Sequence, residues 1–258
     1  MLIPIRDHNP SSKRPYVTYA LMITNVVVFA LYFPLFGDSH ALMRFFQQWG
    51  MLPARLSSGE GFVTLISHQF LHGDLLHLGA NMLFLWIFGD NMEEVWGRWK
   101  FLGFYLLCGF AAAGLQFFTE PNSTIPMVGA SGAIAGVLGG YFLFYPRARV
   151  DIFFFLIIIF RIIPIPAWVV LGSWFVFQLL GGLSIPADAG GVAYWAHAGG
   201  FMAGVVLSFP LWLRMGGAEY WRRCEGHPPN AEAQYRFVKT SIPAAGRKRR
   251  FRPSPWRR

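Results

Sequence analysis

Long apolar runs alternate with shorter polar segments along most of the chain. The runs cover about residues 16–36, 75–92, 101–118, 127–145, 166–183 and 192–213. A helix needs roughly 20 mostly apolar residues to cross a hydrocarbon core about 30 Å thick, and each run approaches that length. The pattern therefore predicts an all-α polytopic membrane protein, a bundle of six transmembrane helices over residues 16–213.

The remaining segments are more polar and complete the predicted organisation. Residues 1–15 are short and polar, and we interpret them as a cytoplasmic N-terminal segment. Residues 37–74 mix charged with aromatic side chains, which suits a long loop that lies partly in the membrane interface. Residues 151–165 are apolar but contain Arg161 and Pro164, so we interpret them as a connector on the membrane surface.

Composition and charge agree with a membrane protein. Of the residues, 54% are hydrophobic and 14% are charged, whereas about a quarter are charged in soluble domains. The net charge of +9 could suggest a nucleic-acid partner, but of the 22 Lys and Arg residues all except Arg44 and Arg55 fall on one side of the predicted topology. By the positive-inside rule both termini are predicted to be cytoplasmic, with no nucleic-acid partner.

The segment 214–258 is basic and contains several prolines. We predict a disordered cytoplasmic tail that stays near anionic lipid. The short N-terminal segment favours a plasma membrane location, in a bacterial inner membrane. The two cysteines form neither a disulfide framework nor a zinc motif.

Polar residues inside membrane spans are costly, so each is a functional candidate. Ser131 opens the fourth run within Gly-Ala-Ser-Gly at 129–132. At a helix N-terminus, unpaired N–H groups and the positive end of the helix dipole can stabilise an oxyanion. This position favours a nucleophile, although the motif alone would rather indicate a small packing residue.

A serine nucleophile needs a base within hydrogen-bond reach, and His197 in the sixth run is the candidate. Gly200 and Gly204 give its helix a GxxxG face, and the fourth run carries a matching one. That second face consists of Gly132, Gly136 and Gly140. Two such faces let helices approach closely, which would bring the serine and the imidazole together.

His77 and Asn81 are four residues apart, so they share one face of the second predicted helix. Both side chains can donate hydrogen bonds to a reaction centre. The alternative is a polar clamp between helices.

Together these residues resemble the rhomboid intramembrane proteases over about residues 16–213. The order of the matching residues and motifs is His72, His77, Asn81, Gly-Ala-Ser-Gly at 129–132 and Ala-His-Ala-Gly-Gly at 196–200. Each motif is weak alone, but the combination on alternate spans is specific.

The resemblance implies a six-helix rhomboid bundle and a serine–histidine dyad without an aspartate. Ser131 would attack the scissile carbonyl, and His197 would act as base and then as acid. The backbone N–H of Ser131 with His77 and Asn81 would form the oxyanion hole. Neither metal nor other cofactor is implied, and the partners would be the lipid bilayer and single-span membrane proteins cut near the outer face. The oligomeric state is not indicated.

The resemblance also implies structural roles. These fall on His72, Glu93, Gly129, Gly132, Gly200 and Gly204. Glu93 would hold a cytoplasmic loop. The fifth span would act as a lateral gate, with Trp168, Trp174, Phe175 and Phe177.

Two departures from well-studied relatives affect the site. Val63-Thr64 stands where these have Trp-Arg, which puts the packing of the first outer loop in doubt. Ala135 stands where some have an aromatic residue that stacks on the histidine, which puts the orientation of His197 in doubt.

Three other functions are compatible with parts of the sequence. His68 and His72 have the i, i+4 spacing of a zinc protease, but the glutamate of HExxH is missing. A catalytically inactive rhomboid-like protein that binds membrane clients would be expected to lack Ser131 or His197. A six-span transporter would be expected to carry an intramembrane carboxylate or a Pro-broken helix pair.

Overall fold

A computed structural model describes residues 2–156, 159–185 and 191–224, and this part of the chain is mostly helical. In chain order the elements are β1 (Leu2–Asp7), α1 (Tyr16–Tyr32), a 3₁₀ turn (Phe33–Gly37), α2 (Ser39–Trp49), α3 (Pro53–Ser57), α4 (Thr64–Ser67), a second 3₁₀ turn (His68–Phe70), α5 (Leu75–Trp96), α6 (Arg98–Thr119), α7 (Ser131–Phe144), β2 (Arg149–Leu156), β3 (Ile159–Pro166), α8 (Ala167–Ser184), α9 (Tyr194–Arg214) and α10 (Ala218–Cys224).

Four of the described helices are long and apolar enough to cross a membrane. They are α1 with its 3₁₀ extension (Tyr16–Gly37), α6, α8 and α9. Their outer surfaces carry large apolar side chains, with Leu31 78% exposed on α1 and Leu183 74% exposed on α8. Such surfaces are compatible with lipid but costly in water. The chain is therefore a multi-pass membrane protein.

Helix α5 is long enough to span but carries three carboxyl groups near its C-terminal end: Asp90, Glu93 and Glu94. Glu93 is buried and binds the N-terminus of α1, not a loop as predicted. Its carboxylate accepts hydrogen bonds from the backbone N–H groups of Val17 and Thr18 at 3.1 and 2.8 Å. Because Pro15 precedes α1 without capping it, the first turn of α1 has free N–H groups that attract a carboxylate.

Helix α7 lies at the centre of the bundle and is shorter than predicted. Every residue except Ser131 and Phe142 is buried, so the helix is surrounded by protein rather than lipid. Its 14 residues extend only about 21 Å. Residues 127–130 are not helical, and Met127 pairs with Met51 in a short antiparallel bridge. Non-helical backbone at membrane depth is tolerated where protein or a water-filled cavity surrounds it.

The all-α prediction is wrong at one end of the bundle, where the chain forms a three-stranded antiparallel sheet. Its order is β1-β2-β3, with Ile3 opposite Phe153 and Val150 opposite Ile165. The connector therefore forms a hairpin, and the N-terminal segment adds an edge strand to it. Pro4 is tolerated because β1 is an edge strand with a register shift after this residue. Local sequence patterns carry no signal for a pairing between segments so far apart.

Polar contacts join the N-terminal segment to β2 and to helix α7. Asp151 on β2 accepts hydrogen bonds from Arg6 at 2.6 Å and from His8 at 2.8 Å. Asp7 at the end of β1 accepts a hydrogen bond from the Tyr141 hydroxyl of α7 at 2.6 Å. The N-terminal segment is therefore bound to the central helix of the bundle.

The start of the predicted tail is ordered, which corrects the prediction of disorder for this part. Helix α10 packs under the bundle through the buried side chain of Tyr220, and Trp221 donates a hydrogen bond to the Leu143 carbonyl at 3.0 Å. Residues 225–258 lie outside the described residues, so the rest of that prediction is untested.

The burial of Asp7 should make stability depend on pH. Burial raises the pKa of Asp7 from 3.8 to about 8, and the charge of Asp90 adds to this effect. An aspartate in the unfolded chain ionises near 3.8, so the folded state should lose stability as pH rises from about 4 to about 8. Asp7→Asn cannot ionise, and we expect a smaller drop in melting temperature in detergent between pH 5 and pH 8. Equal drops in both proteins would contradict this role of Asp7.

Candidate active site

Helices α7 and α9 cross in close contact at the predicted glycine positions. A Cβ added to Gly200 would collide with the carbonyl oxygen of Gly132, and one added to Gly204 would collide with that of Gly136. One turn further, a Cβ on Gly140 would lie 2.9 Å from the Ser208 hydroxyl. The two small faces therefore pack in register, as predicted, and the helix backbones touch each other.

This crossing brings the two candidate catalytic side chains into contact. Ser131 Oγ and His197 Nε2 are 2.7 Å apart, within hydrogen-bond distance. Ser131 is the first residue of α7, and the preceding Gly129 has a φ of +134°, a conformation that other residues rarely adopt. A Cβ on Gly129 would lie 2.9 Å from His77 Nε2. Glycine thus permits both the turn and the close approach of the imidazole.

Two residues of α8 hold the imidazole of His197, and they compensate for the small Ala135 side chain. His197 Nδ1 is 2.8 Å from Gln178 Oε1. The Trp174 ring lies against the imidazole, with 5.7 Å between centroids and 33° between planes. Trp174 was predicted only as part of a gate, and Gln178 was missed. The sequence does contain a signal for Gln178, because a glutamine within an apolar span is a functional candidate.

His77 is placed to donate a hydrogen bond beside the serine. The backbone N–H of Gly73 donates to His77 Nδ1 at 3.2 Å. When neutral, His77 must then carry its proton on Nε2, the atom that faces Gly129. Asn81 also lines the site, but its side-chain amide donates to the His77 carbonyl at 2.9 Å. Of the two predicted donors, only His77 is directed towards the site.

A cavity of about 640 Å³ lies beside these groups. His77, Asn81, Ser131 and His197 line it together with apolar side chains. The apolar lining includes Phe84, Ile134, Leu138, Val192, Tyr194 and Trp174. A mostly apolar cavity with a few convergent polar groups is typical of a substrate site.

The other loop histidines have structural contacts. His68 is buried, and its Nδ1 donates a hydrogen bond to the Thr64 carbonyl at 2.7 Å. His72 packs edge-on against His77, and its backbone N–H donates to the Tyr32 hydroxyl at 2.7 Å. Burial lowers the pKa of His68 to about 4 and that of His72 to about 3, so both are neutral near pH 7. Within the described residues, no group of three His, Cys, Asp or Glu side chains is placed to hold a metal ion.

At the Val63-Thr64 departure, Thr64 packs inside the first loop and Val63 is exposed. Thr64 is buried, and its hydroxyl donates to the Gly61 carbonyl at 2.6 Å. Arg55 donates to the carbonyls of Gln47 and Gln48. These bonds join parts of the first loop to each other.

Comparison with known proteins agrees with this geometry. A family model described as "Rhomboid domain" matches residues 59–214, more than half of the chain. The chain belongs to the rhomboid family. This range includes all the residues of the candidate site.

Several curated rhomboid proteins are similar to this chain. Rhomboid protein 1, mitochondrial, from Saccharomyces cerevisiae is 30% identical over 204 residues, which are 75% of this chain and 52% of the yeast protein. RHOMBOID-like protein 4 from Arabidopsis thaliana is 32% identical over 70% of this chain and 41% of its own length. Rhomboid protease GluP from Bacillus subtilis is 37% identical over 33% of this chain and 16% of its own length.

The chain spans about half the length, or less, of these curated relatives. The yeast relative is mitochondrial by name, which does not fit the predicted bacterial inner membrane. The broader prediction of a multi-pass membrane protein is unaffected.

The glycine contacts predict that one added methyl group will separate α7 from α9. Gly204→Ala would place a Cβ against the Gly136 carbonyl, so we expect destabilisation of about 1–3 kcal/mol, measured by thermal unfolding in detergent. The matched control is Gly114→Ala on α6, where the added Cβ meets nothing within 4 Å. If the two variants had equal stability, the close contact would be refuted.

Proposed function

We propose that the chain is an intramembrane serine endopeptidase that cuts transmembrane-helix substrates near the outer membrane face. The observation that carries this proposal is the 2.7 Å contact between Ser131 Oγ and His197 Nε2 inside a substrate-sized cavity. Membership of the rhomboid family and the similarity to a relative named as a protease support it.

The proposed reaction begins with transfer of the Ser131 proton to His197 Nε2 as Oγ attacks the scissile carbonyl. The resulting oxyanion would accept hydrogen bonds from the Ser131 N–H and from His77 Nε2. Asn81 would join them only if its amide turned away from the His77 carbonyl. His197 then protonates the leaving amine, and a water molecule hydrolyses the acyl-enzyme with His197 again as base.

We also propose that α5 and α7 complete a set of six spans with both termini in the cytoplasm. In support, β1 pairs with β2 near the C-terminal end of α7, and Trp221 of α10 binds Leu143 at that same end. If the chain crosses the membrane an even number of times between β1 and β2, and again between β2 and α10, all three segments lie at the same membrane face. Ser131 at the opposite end of α7 would then lie below the outer surface. Substrates with small residues there could unwind to expose a peptide bond.

Two other functions remain as alternatives in the test. A catalytically inactive member that binds membrane clients would leave the substrate intact. A metalloprotease based on His68 and His72 would be inhibited by a chelator. The imidazole of His68 is already engaged with Thr64, which disfavours a metal there.

The direct test uses the full chain in liposomes with a panel of single-span substrates, and cleavage is followed on gels and by mass spectrometry. We expect cleavage near the outer end of a substrate helix, unaffected by a chelator. Ser131→Ala and His197→Ala should each lower kcat by about 10³-fold or more, because nucleophile and base act as one unit.

The control for this test is Ser173→Ala, which removes an exposed hydroxyl bonded within α8. It should retain full activity. Undiminished cleavage by Ser131→Ala would contradict the proposed mechanism, and no cleavage of any substrate by the native chain would favour the inactive alternative.

A further inference from the structure

We propose that Gln178 is a positioning residue that holds His197 in the tautomer able to accept the serine proton. This inference rests on the proposed function and adds a third member to the dyad. Gln178 is buried on α8, whereas Ser131 and His197 are on α7 and α9. The three helices would thus each supply one polar group to a single hydrogen-bonded chain.

The orientation of the Gln178 amide follows from its two contacts. Its Nε2 lies 3.3 Å from the Trp174 carbonyl oxygen, which can only accept a hydrogen bond. The nitrogen must therefore face Trp174, and Oε1 faces His197 Nδ1 at 2.8 Å. The contact within α8 thus fixes which end of the amide the histidine meets.

The amide orientation in turn selects the histidine tautomer. Because Oε1 can only accept, the neutral imidazole must carry its proton on Nδ1. Nε2 is then left with a lone pair, and this atom is 2.7 Å from Ser131 Oγ. A general base needs that lone pair, and the opposite tautomer could not accept the serine proton. Gln178 therefore excludes the inactive tautomer.

A neutral amide suits this environment better than a carboxylate does. A carboxylate beside His197 would be an ionised group buried within the bundle. Its charge would be unpaired, and therefore costly, whenever the histidine is neutral. The glutamine oxygen still accepts from Nδ1 after His197 takes up the serine proton, so the bond persists through the reaction. Trp174, one turn away on the same face of α8, limits rotation of the imidazole.

The competing interpretation is a purely structural clamp between α8 and α9. A clamp would affect folding and substrate binding, whereas tautomer control affects the chemical step. Two measurements separate the clamp from tautomer control. One is whether a substitution changes kcat or KM, and the other is which ring nitrogen of His197 carries the proton.

The test compares three substitutions at Gln178 in the full chain in liposomes. Gln178→Leu keeps similar bulk without an acceptor, and we expect kcat to fall about 10- to 100-fold with KM changed little. Gln178→Asn keeps the amide but is too short to reach, and should lose activity similarly. Gln178→Glu restores an acceptor and should recover most of the lost kcat. Ser173→Ala on the same helix is the control and should match the native chain.

Nitrogen NMR of histidine-labelled protein gives an independent readout, with the His197 signals assigned by their loss in His197→Ala. We expect the Nδ1–H tautomer in the native chain and a mixture of tautomers in Gln178→Leu. If Gln178→Leu fails to fold, Gln178→Asn serves for both measurements.

The outcomes separate this inference from the proposed function. Cleavage that survives Ser131→Ala would overturn the protease mechanism itself. If Ser131→Ala is inactive but Gln178→Leu and Gln178→Asn keep native kcat and the native tautomer, the role of Gln178 is refuted and the dyad stands. A loss confined to KM or to melting temperature would also refute it, in favour of the clamp.

Discussion

The contact between the backbones of α7 and α9 is the interaction on which the rest of the site depends. Lipid is as apolar as a leucine side chain, so burial of apolar surface provides little drive for helices to associate within a membrane. Close packing replaces it, and here Gly132 and Gly136 meet Gly200 and Gly204 without any intervening Cβ. A 2.7 Å bond between side chains as short as Ser131 and His197 requires helix axes this close.

The second constraint is that each polar group placed among apolar helices needs a partner. His197 is bonded on both ring nitrogens, and Gln178 in turn is bonded to the Trp174 carbonyl. Glu93 satisfies the free N–H groups of α1. The polar groups of the site thus form one connected hydrogen-bonded chain from Ser131 to the Trp174 carbonyl.

The apolar runs predicted the positions of the long helices well, because hydrophobicity over some 20 residues is a local property of the sequence. The paired glycine spacings also predicted which helices touch, and hence the contact between Ser131 and His197. The sheet was missed because β1 pairs with a strand some 145 residues away, a relation that local pattern does not encode. The capping role of Glu93 depended on where α1 packs against α5, and this too is tertiary information.

Gln178 illustrates the limit of sequence reasoning at the site. It was missed although its polarity within an apolar run was a signal, and its partner could not be identified without the packing of α8 against α9. The contact of Trp174 also depends on the packing of α8 against α9. Its ring lies against the His197 imidazole and replaces the aromatic contact that the small Ala135 side chain cannot make. The family resemblance implied a gate role for Trp174 and no role for Gln178, yet both contact His197 beside the small Ala135.

The most direct measurement is an experimental structure of the full chain in a lipid environment, from which the distance between Ser131 Oγ and His197 Nε2 is read. We expect hydrogen-bond contact, close to 2.7 Å, with the backbones of α7 and α9 touching at Gly136 and Gly204. Helices separated at those glycines, with the serine and imidazole well beyond hydrogen-bond reach, would contradict it.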